Sequence, residues 1–197
     1  MSQRGKSCLV LDAMGVIFKS ADDVAELLIP YISQKTGNFD QTAIQSAYVK
    51  ASLGKIEPDE FWAQVSMTPE SEKDYLALHS LNPGVLELLT FAKENKVPVW
   101  CLSNDVGRWS NKLRGNLGIE EYLAGSVISG DVGVRKPDRK IYEILVDHSG
   151  YKIDDLLFVD DREKNVIAAR DIGIETVLYK PEEGFSYAKS WISRRAP

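Results

Sequence analysis

The chain has 197 residues, of which 44% are hydrophobic and 27% are charged, and its formal net charge is −5. This composition is ordinary for a soluble globular protein with one substantial core. The acidic balance gives no electrostatic footprint for nucleic acid, and the apolar runs are far too short to cross a bilayer. Cys8 and Cys101 lie inside apolar runs without zinc-site spacing. We therefore expect buried thiols in a reducing compartment, with a cytoplasmic location as the default.

The first predicted element is a strand over residues 7–12, a short apolar run typical of a strand that is buried on both faces. From about residue 20 to residue 81, every predicted element is helical. The helices are expected at residues 22–35, 41–53, 58–65 and 69–81. This stretch indicates a helical subdomain inserted after the first strand.

Strands and helices then alternate to the end of the chain. Apolar runs predict strands at residues 98–103, 125–129, 155–160 and 175–179. Helical spacing, proline starts and glycine ends predict helices at residues 83–95, 106–117, 137–148 and 162–172. This alternation predicts an α/β fold with a parallel sheet and right-handed crossovers.

Polar side chains close the predicted strands, where functional groups of open α/β sheets collect. They are Asp12, Ser103, Asn104, Asp105, Asp160 and Asp161, with Lys136 at the start of a later helix. A candidate carboxylate nucleophile, a hydroxyl, a lysine and an acidic pair are the groups that phosphoryl transfer requires. Their joint placement carries the functional hypothesis.

These residues also carry a family resemblance. Residues 11–18 (LDAMGVIF) resemble the first motif of haloacid-dehalogenase-like hydrolases, Asp-x-Asp-Gly-[Val/Thr]. Residues 102–104 (LSN), 134–138 (VRKPD) and 158–165 (FVDDREKN) resemble the second, third and fourth motifs. The match is closest to the subgroup of sugar-phosphate phosphatases and the N-terminal phosphatase domains of epoxide hydrolases.

The resemblance implies a fold and a domain organisation. The fold would be a three-layer, Rossmann-like parallel sheet core with an inserted helical cap of the first type. The core would comprise residues 1–19 and 82–197, and the cap residues 20–81. The cleft between them would hold Mg²⁺ and a small phosphorylated metabolite, with no nucleic acid or membrane partner.

The resemblance also implies roles for individual residues. Asp12 would attack phosphorus, Lys136 would neutralise Asp12 and the transferring group, and Ser103 with the N–H of Asn104 would hold the phosphoryl oxygens. Mg²⁺ would bind a carboxylate oxygen of Asp12, the backbone carbonyl of Met14 and an oxygen of Asp161. Asp160 would support the metal site without contacting the ion directly, and Asn165 would anchor the loop.

Met14 departs from the family pattern, because phosphatases of the family carry there the acid that protonates the leaving oxygen. A thioether has no proton to give, and general acid–base help is typically worth about 10²–10⁴ in rate. A slow or specialised phosphatase, or one with a substitute acid from the cap or the substrate, is our first hypothesis. A non-catalytic binding or regulatory protein is the second. Phosphonatase-like or dehalogenase-like chemistry is the third, and the acidic pair argues against a metal-free dehalogenase.

The predicted cap offers one further candidate site residue and a set of packing residues. Lys55 lies between two predicted helices, where it could bind a distal anionic group of the substrate. Tyr48, Phe61 and Trp62 are expected to pack the cap helices, and one of them could line the cleft. The motifs do not specify the substrate, since selectivity in this architecture depends on the cap.

Overall fold

The computed structural model describes residues 7–37 and 40–195. Their strands are β1 (Cys8–Leu11), β2 (Val99–Ser103), β3 (Leu123–Ile128), β4 (Leu156–Asp160) and β5 (Glu175–Leu178). The first α-helices are α1 (Ile29–Thr36), α2 (Gln41–Ala51), α3 (Pro58–Gln64), α4 (Ser71–Leu76) and α5 (Val85–Glu94). The later ones are α6 (Gly107–Asn116), α7 (Ser129–Val132), α8 (Arg139–Ser149), α9 (Glu163–Asp171) and α10 (Ser186–Arg195). A π-helix (Val24–Leu28) precedes α1, and 3₁₀ turns (Glu120–Tyr122, Ile153–Asp155) precede β3 and β4.

The sheet is parallel throughout, with strand order β3-β2-β1-β4-β5. The central strand β1 pairs on both sides, so that Leu9 lies opposite Val99 of β2 and opposite Leu157 of β4. The carboxyl ends of these three strands therefore meet at one edge. The predicted parallel α/β sheet is confirmed.

Both faces of the sheet are covered, as its apolar strands require. Along β1, Leu9 and Leu11 belong to one apolar core, and Cys8 and Val10 to another on the opposite face. The second core is completed by α8 and α9, while the first receives side chains of α5, α6 and α10. The fold is thus the expected three-layer, Rossmann-like arrangement. Cys8 and Cys101 are both buried free thiols.

Helices α1 to α4 lie between β1 and α5, in the stretch predicted to be the cap. Their aromatic side chains continue the first core, since the ring of Trp62 lies 5.4 Å from that of Trp109 on α6. The domain limits remain an interpretation of the sequence. The outer ends of the predicted core, residues 1–6 and 196–197, lie outside the described residues, as do residues 38–39 within the predicted cap.

Several elements differ from the sequence prediction, among them the unpredicted short helix α7 (Ser129–Val132), which begins at the last residue of the strand expected at residues 125–129. The helix expected at residues 69–81 is limited to Ser71–Leu76, because Leu81 forms a β-bridge with Phe18 and the following backbone joins the loop after β1. Helix α10 is amphipathic but was not predicted. Among the described residues, the structure has no helix with the length and apolarity needed to span a membrane.

Candidate active site

The loop that follows β1 holds Asp12 at the carboxyl edge of the sheet. The Asp12 side chain is buried, and its Oδ1 accepts a hydrogen bond of 2.6 Å from the backbone N–H of Ala13. Gly15 turns the chain with φ +79°, and a Cβ at this position would lie 2.4 Å from Oδ2 of Asp161. Asn82 Nδ2 fastens the loop by donating to the carbonyls of Gly15 (2.8 Å) and Val16 (3.0 Å). The turn therefore requires glycine for both its conformation and its space.

Lys136 is a buried cation between two carboxylates. Its Nζ lies 2.7 Å from Oδ1 of Asp12 and 2.8 Å from Oδ2 of Asp160, and it donates to the carbonyl of Leu102 at 2.8 Å. The backbone of Lys136 is held by Asn104, whose Oδ1 accepts from the Lys136 N–H (2.7 Å) and whose Nδ2 donates to its carbonyl (2.9 Å). Asn104, in the loop after β2, thus positions Lys136, which lies in the loop between α7 and α8.

Asp160 and Asp161, at the end of β4, differ in their hydrogen bonding. Asp160 accepts from Lys136, from the N–H of Arg162 (2.8 Å) and from Asn165 Nδ2 at both of its oxygens (3.0 Å each). Oδ1 of Asp161 is buried and has no hydrogen-bond partner among the described residues. Both oxygens of Asp160 are therefore hydrogen-bonded within the protein, whereas Asp161 retains one oxygen with no partner among the described residues.

Asp12, Asp160 and Asp161 offer carboxylate oxygens that lie within 4.8 Å of one another. Burial first and the charge of Asp160 second raise the pKa of Asp12, against the lowering effect of Lys136. The same two causes raise the pKa of Asp161 to about 6. Burial also opposes ionisation of Asp160, but Lys136 and the N–H of Arg162 hold its pKa below the usual range. Three buried or half-buried carboxyl groups thus share one ammonium, and the charge of Asp160 is one of the causes that raise the pKa of its two neighbours.

A cleft of about 110 Å³ opens in front of Asp12. Its lining comes from the sheet edge and from the helical insert, and comprises Asp12, Met14, Asp22, Asp23, Val24, Gln45, Tyr48, Val49, Ser103, Asn104, Arg135, Lys136, Arg162 and Asn165. The Oγ of Ser103 is buried there and has no hydrogen-bond partner among the described residues. A buried hydroxyl without a partner is costly, so this atom is available to a polar ligand.

The structure brings most of the predicted site residues together. Asp12, Met14, Ser103, Asn104 and Lys136 line the cleft. Asp160 and Asp161 join Asp12 in the carboxylate cluster, and Asn165 Nδ2 donates to both oxygens of Asp160. Lys55 is exposed and is not among the residues that line the cleft, so its binding role remains a prediction.

Sequence reasoning assigned no role to several residues that line or support this site. Arg135 and Arg162 lie next to motif residues, which is the one signal that could have found them. Asp105 is buried beside the cleft-lining Asn104, and burial raises its pKa to about 8. Asp23 comes from the insert, without any motif around it.

The sequence pattern of haloacid dehalogenase-like hydrolases matches residues 7–173. The chain belongs to this family, the HAD-like hydrolases. Among the curated relatives of this HAD-like hydrolase, a chloroplast flavin mononucleotide hydrolase of Arabidopsis thaliana is 32% identical over 102 residues, which cover 52% of this chain and 41% of the relative. Phosphoglycolate phosphatase 1 of Pseudomonas aeruginosa is 29% identical over 131 residues, covering 64% and 48%. The matches thus span about half or less of these curated relatives.

Solved structures show the same HAD fold. A HAD family enzyme from Bacteroides thetaiotaomicron, crystallised as a mutant with magnesium and inorganic phosphate, superposes with a TM-score of 0.76 at 21% identity, covering 93% of this chain and 99% of that one. A HAD phosphatase from Thermococcus onnurineus gives a TM-score of 0.65 at 18% identity, covering 88% and 86%. At these identities the likeness establishes the fold alone.

Proposed function

We propose that this HAD-like hydrolase is a Mg²⁺-dependent phosphatase that acts on a small phosphorylated metabolite through an aspartyl-phosphate on Asp12. One observation carries the proposal: Asp12 lies 2.7 Å from the buried Lys136 and within 4.8 Å of the oxygens of Asp160 and Asp161. Two curated relatives bear the name of a phosphatase or a mononucleotide hydrolase, which supports the same chemistry.

The carboxylate cluster fits a divalent cation. Its donors are hard oxygens, which Mg²⁺ prefers, and Oδ1 of Asp161 is buried with no partner among the described residues. Asp12, Asp161 and the backbone carbonyl of Met14 would hold the ion, with Asp160 supporting the site through its own hydrogen bonds. When bound, Mg²⁺ would neutralise charge on the cluster and on the phosphoryl oxygens. A magnesium complex of a structural neighbour is consistent with this assignment.

The residues around the cleft would divide the chemical work. An Oδ atom of Asp12 would form a bond to phosphorus while the bond from phosphorus to the leaving oxygen breaks. Ser103 Oγ and the N–H of Asn104 would hold the nonbridging oxygens, and Lys136 would stabilise the charge that Asp12 and the phosphoryl group bring together. Water would then attack phosphorus and release Asp12.

The deciding experiment is release of inorganic phosphate from flavin mononucleotide, 2-phosphoglycolate and hexose phosphates. We expect turnover of at least one compound with Mg²⁺, loss of turnover with EDTA, and loss of turnover in an Asp12→Asn protein that is still folded by circular dichroism. Turnover that persists in Asp12→Asn would contradict the proposal. Lys55→Gln serves as a separate test of a distal contact, read as a change in KM.

A second candidate function is favoured by Met14, which lines the cleft in place of the family's acid. The chain would then bind Mg²⁺ and phosphate without useful turnover. Calorimetric binding of inorganic phosphate in the presence of Mg²⁺, together with no phosphate release from any of the compounds, would favour this alternative.

The cytoplasmic location remains a prediction from the buried cysteines.

A further inference from the structure

The cleft contains one carboxylic acid that has no part in the motifs and is almost entirely buried. Asp23 lines the cleft together with Asp12 and Met14, and it is 5% exposed. It immediately precedes the π-helix Val24–Leu28, but its side chain makes no capping hydrogen bond. The neighbouring Asp22 supplies that cap, since its Oδ1 accepts from the N–H of Ala25 at 3.1 Å. Helix capping therefore does not account for Asp23.

The turn that carries Asp23 is held against the catalytic edge of the sheet. Arg162, which directly follows Asp161, donates from Nη2 to the carbonyl of Ala21 at 2.9 Å. From the other side, the hydroxyl of Tyr75 on α4 donates to Oδ2 of Asp23 at 3.0 Å. Asp23 is thus fixed from both sides and positioned at the cleft rather than at the surface.

The surroundings of Asp23 suit a group that must both give and accept a proton. The titratable and charged groups around it are Asp22, Tyr48, Tyr75, Asp105 and Arg162. Burial raises the pKa of Asp23 to about 6, with Tyr75 and Arg162 opposing the shift and Asp22 adding to it. Near neutral pH both protonation states are accessible, which is the condition for acid–base catalysis.

Building on the proposed phosphatase function, we propose that Asp23 is the general acid and base that Met14 cannot be. In the first step, the Asp23 proton would pass to the leaving oxygen as the bond between phosphorus and that oxygen breaks and the bond from Asp12 to phosphorus forms. In the second step, the Asp23 carboxylate would take a proton from water as the water oxygen attacks phosphorus and the bond to Asp12 breaks. The proton on Asp23 is restored after each turnover.

The test compares two aryl phosphates that differ in their need for an acid. Nitrophenolate leaves p-nitrophenyl phosphate readily without a proton, whereas phenolate does not. In Asp23→Asn we expect turnover of phenyl phosphate to fall about 10²–10⁴-fold. With p-nitrophenyl phosphate we expect a burst of one nitrophenolate per enzyme followed by slow turnover, because the second step lacks its base. Glu26→Gln, at an exposed carboxylate of the same π-helix, should behave like the wild type.

A rescue variant separates chemistry from folding. Asn fits the space of Asp and can still accept from Tyr75, and adding Met14→Asp to Asp23→Asn should restore turnover of phenyl phosphate at least tenfold. An equal loss for both aryl phosphates without a burst, or a loss in Asp22→Asn instead, would overturn the role of Asp23. Normal kinetics in Asp23→Asn beside an inactive Asp12→Asn would also overturn it while leaving the phosphatase function intact. Full activity in Asp12→Asn would overturn both.

Discussion

The Nζ atom of Lys136 lies 2.7 Å from Oδ1 of Asp12, and the side chains are only 1% and 8% exposed. The same ammonium contacts Asp160, so one cation serves two buried carboxylates. This arrangement makes the candidate nucleophile and the stability of the sheet edge depend on a single lysine.

Lys136→Met should therefore abolish turnover and destabilise the fold. Removing one partner of a buried ion pair leaves uncompensated charge, which costs about 3–5 kcal/mol. Urea unfolding would measure the loss, and Lys55→Met, at an exposed lysine, should stay within about 0.5 kcal/mol of the wild type. A Lys136→Met protein as stable as the Lys55→Met control would contradict the assigned charge balance.

Gly15→Ala should weaken magnesium binding, because the new Cβ would lie 2.4 Å from Oδ2 of Asp161 and displace that carboxylate. Gly118 is a matched control, since its φ is +68° but a Cβ there meets nothing within 4 Å. Both variants should lose about 1–2 kcal/mol from backbone strain. Only Gly15→Ala should also lose about 10–100-fold in Mg²⁺ affinity by calorimetry. Equal Mg²⁺ affinities in the two variants would argue against Asp161 as a ligand.

Asp161→Asn and Asp160→Asn should have opposite effects on stability at pH 7.5 without metal. The pKa of Asp161 is raised to about 6 by burial and by Asp160, so its ionised form destabilises the folded state and its removal should raise the melting temperature. Asp160 is held ionised by Lys136 and Asn165, so its neutralisation should lower the melting temperature. Added Mg²⁺ should stabilise the wild type but not Asp161→Asn. Thermal melts of the wild type and the two variants, with and without Mg²⁺, would measure these shifts in melting temperature.

Glu72 should contribute stability that depends on pH. Its side chain on α4 accepts from Trp109 Nε1 (2.7 Å), Lys112 (2.7 Å) and Arg108 on α6. Burial opposes its ionisation, but these donors lower its pKa below the ordinary value of 4.5. The advantage of the wild type over Glu72→Gln should thus be complete above about pH 5 and disappear as the pH falls through the lowered pKa. Melting temperatures across this range would show it, and Glu87→Gln, at an exposed ion pair, should differ from the wild type by about 0–1 kcal/mol at every pH.

Much of the site followed from the sequence because its members end parallel strands. Asp12, Ser103 and Asp160 each close an apolar run, and parallel strands bring such ends to one edge. Lys136 was recognisable from its motif. Their separations, such as the 2.7 Å contact between Lys136 and Asp12, depend on loop packing that no motif records.

Asp23 illustrates what could not be predicted. Its sequence neighbourhood resembles any acidic helix start, and its placement depends on Tyr75 and Arg162, which are distant in the chain. The early end of α4 has a similar origin, because a pairing between Phe18 and Leu81 overrides the helical spacing of residues 77–81. Long-range contacts decided both cases.

The aromatic contact between Trp62 on α3 and Trp109 on α6 also provides an optical probe. The two indoles are packed together with Tyr75, at the seam where the helical insert meets the sheet core. Any displacement of the insert would separate them and admit water to their rings. Tryptophan emission should therefore report any movement of the insert on ligand binding without an attached dye.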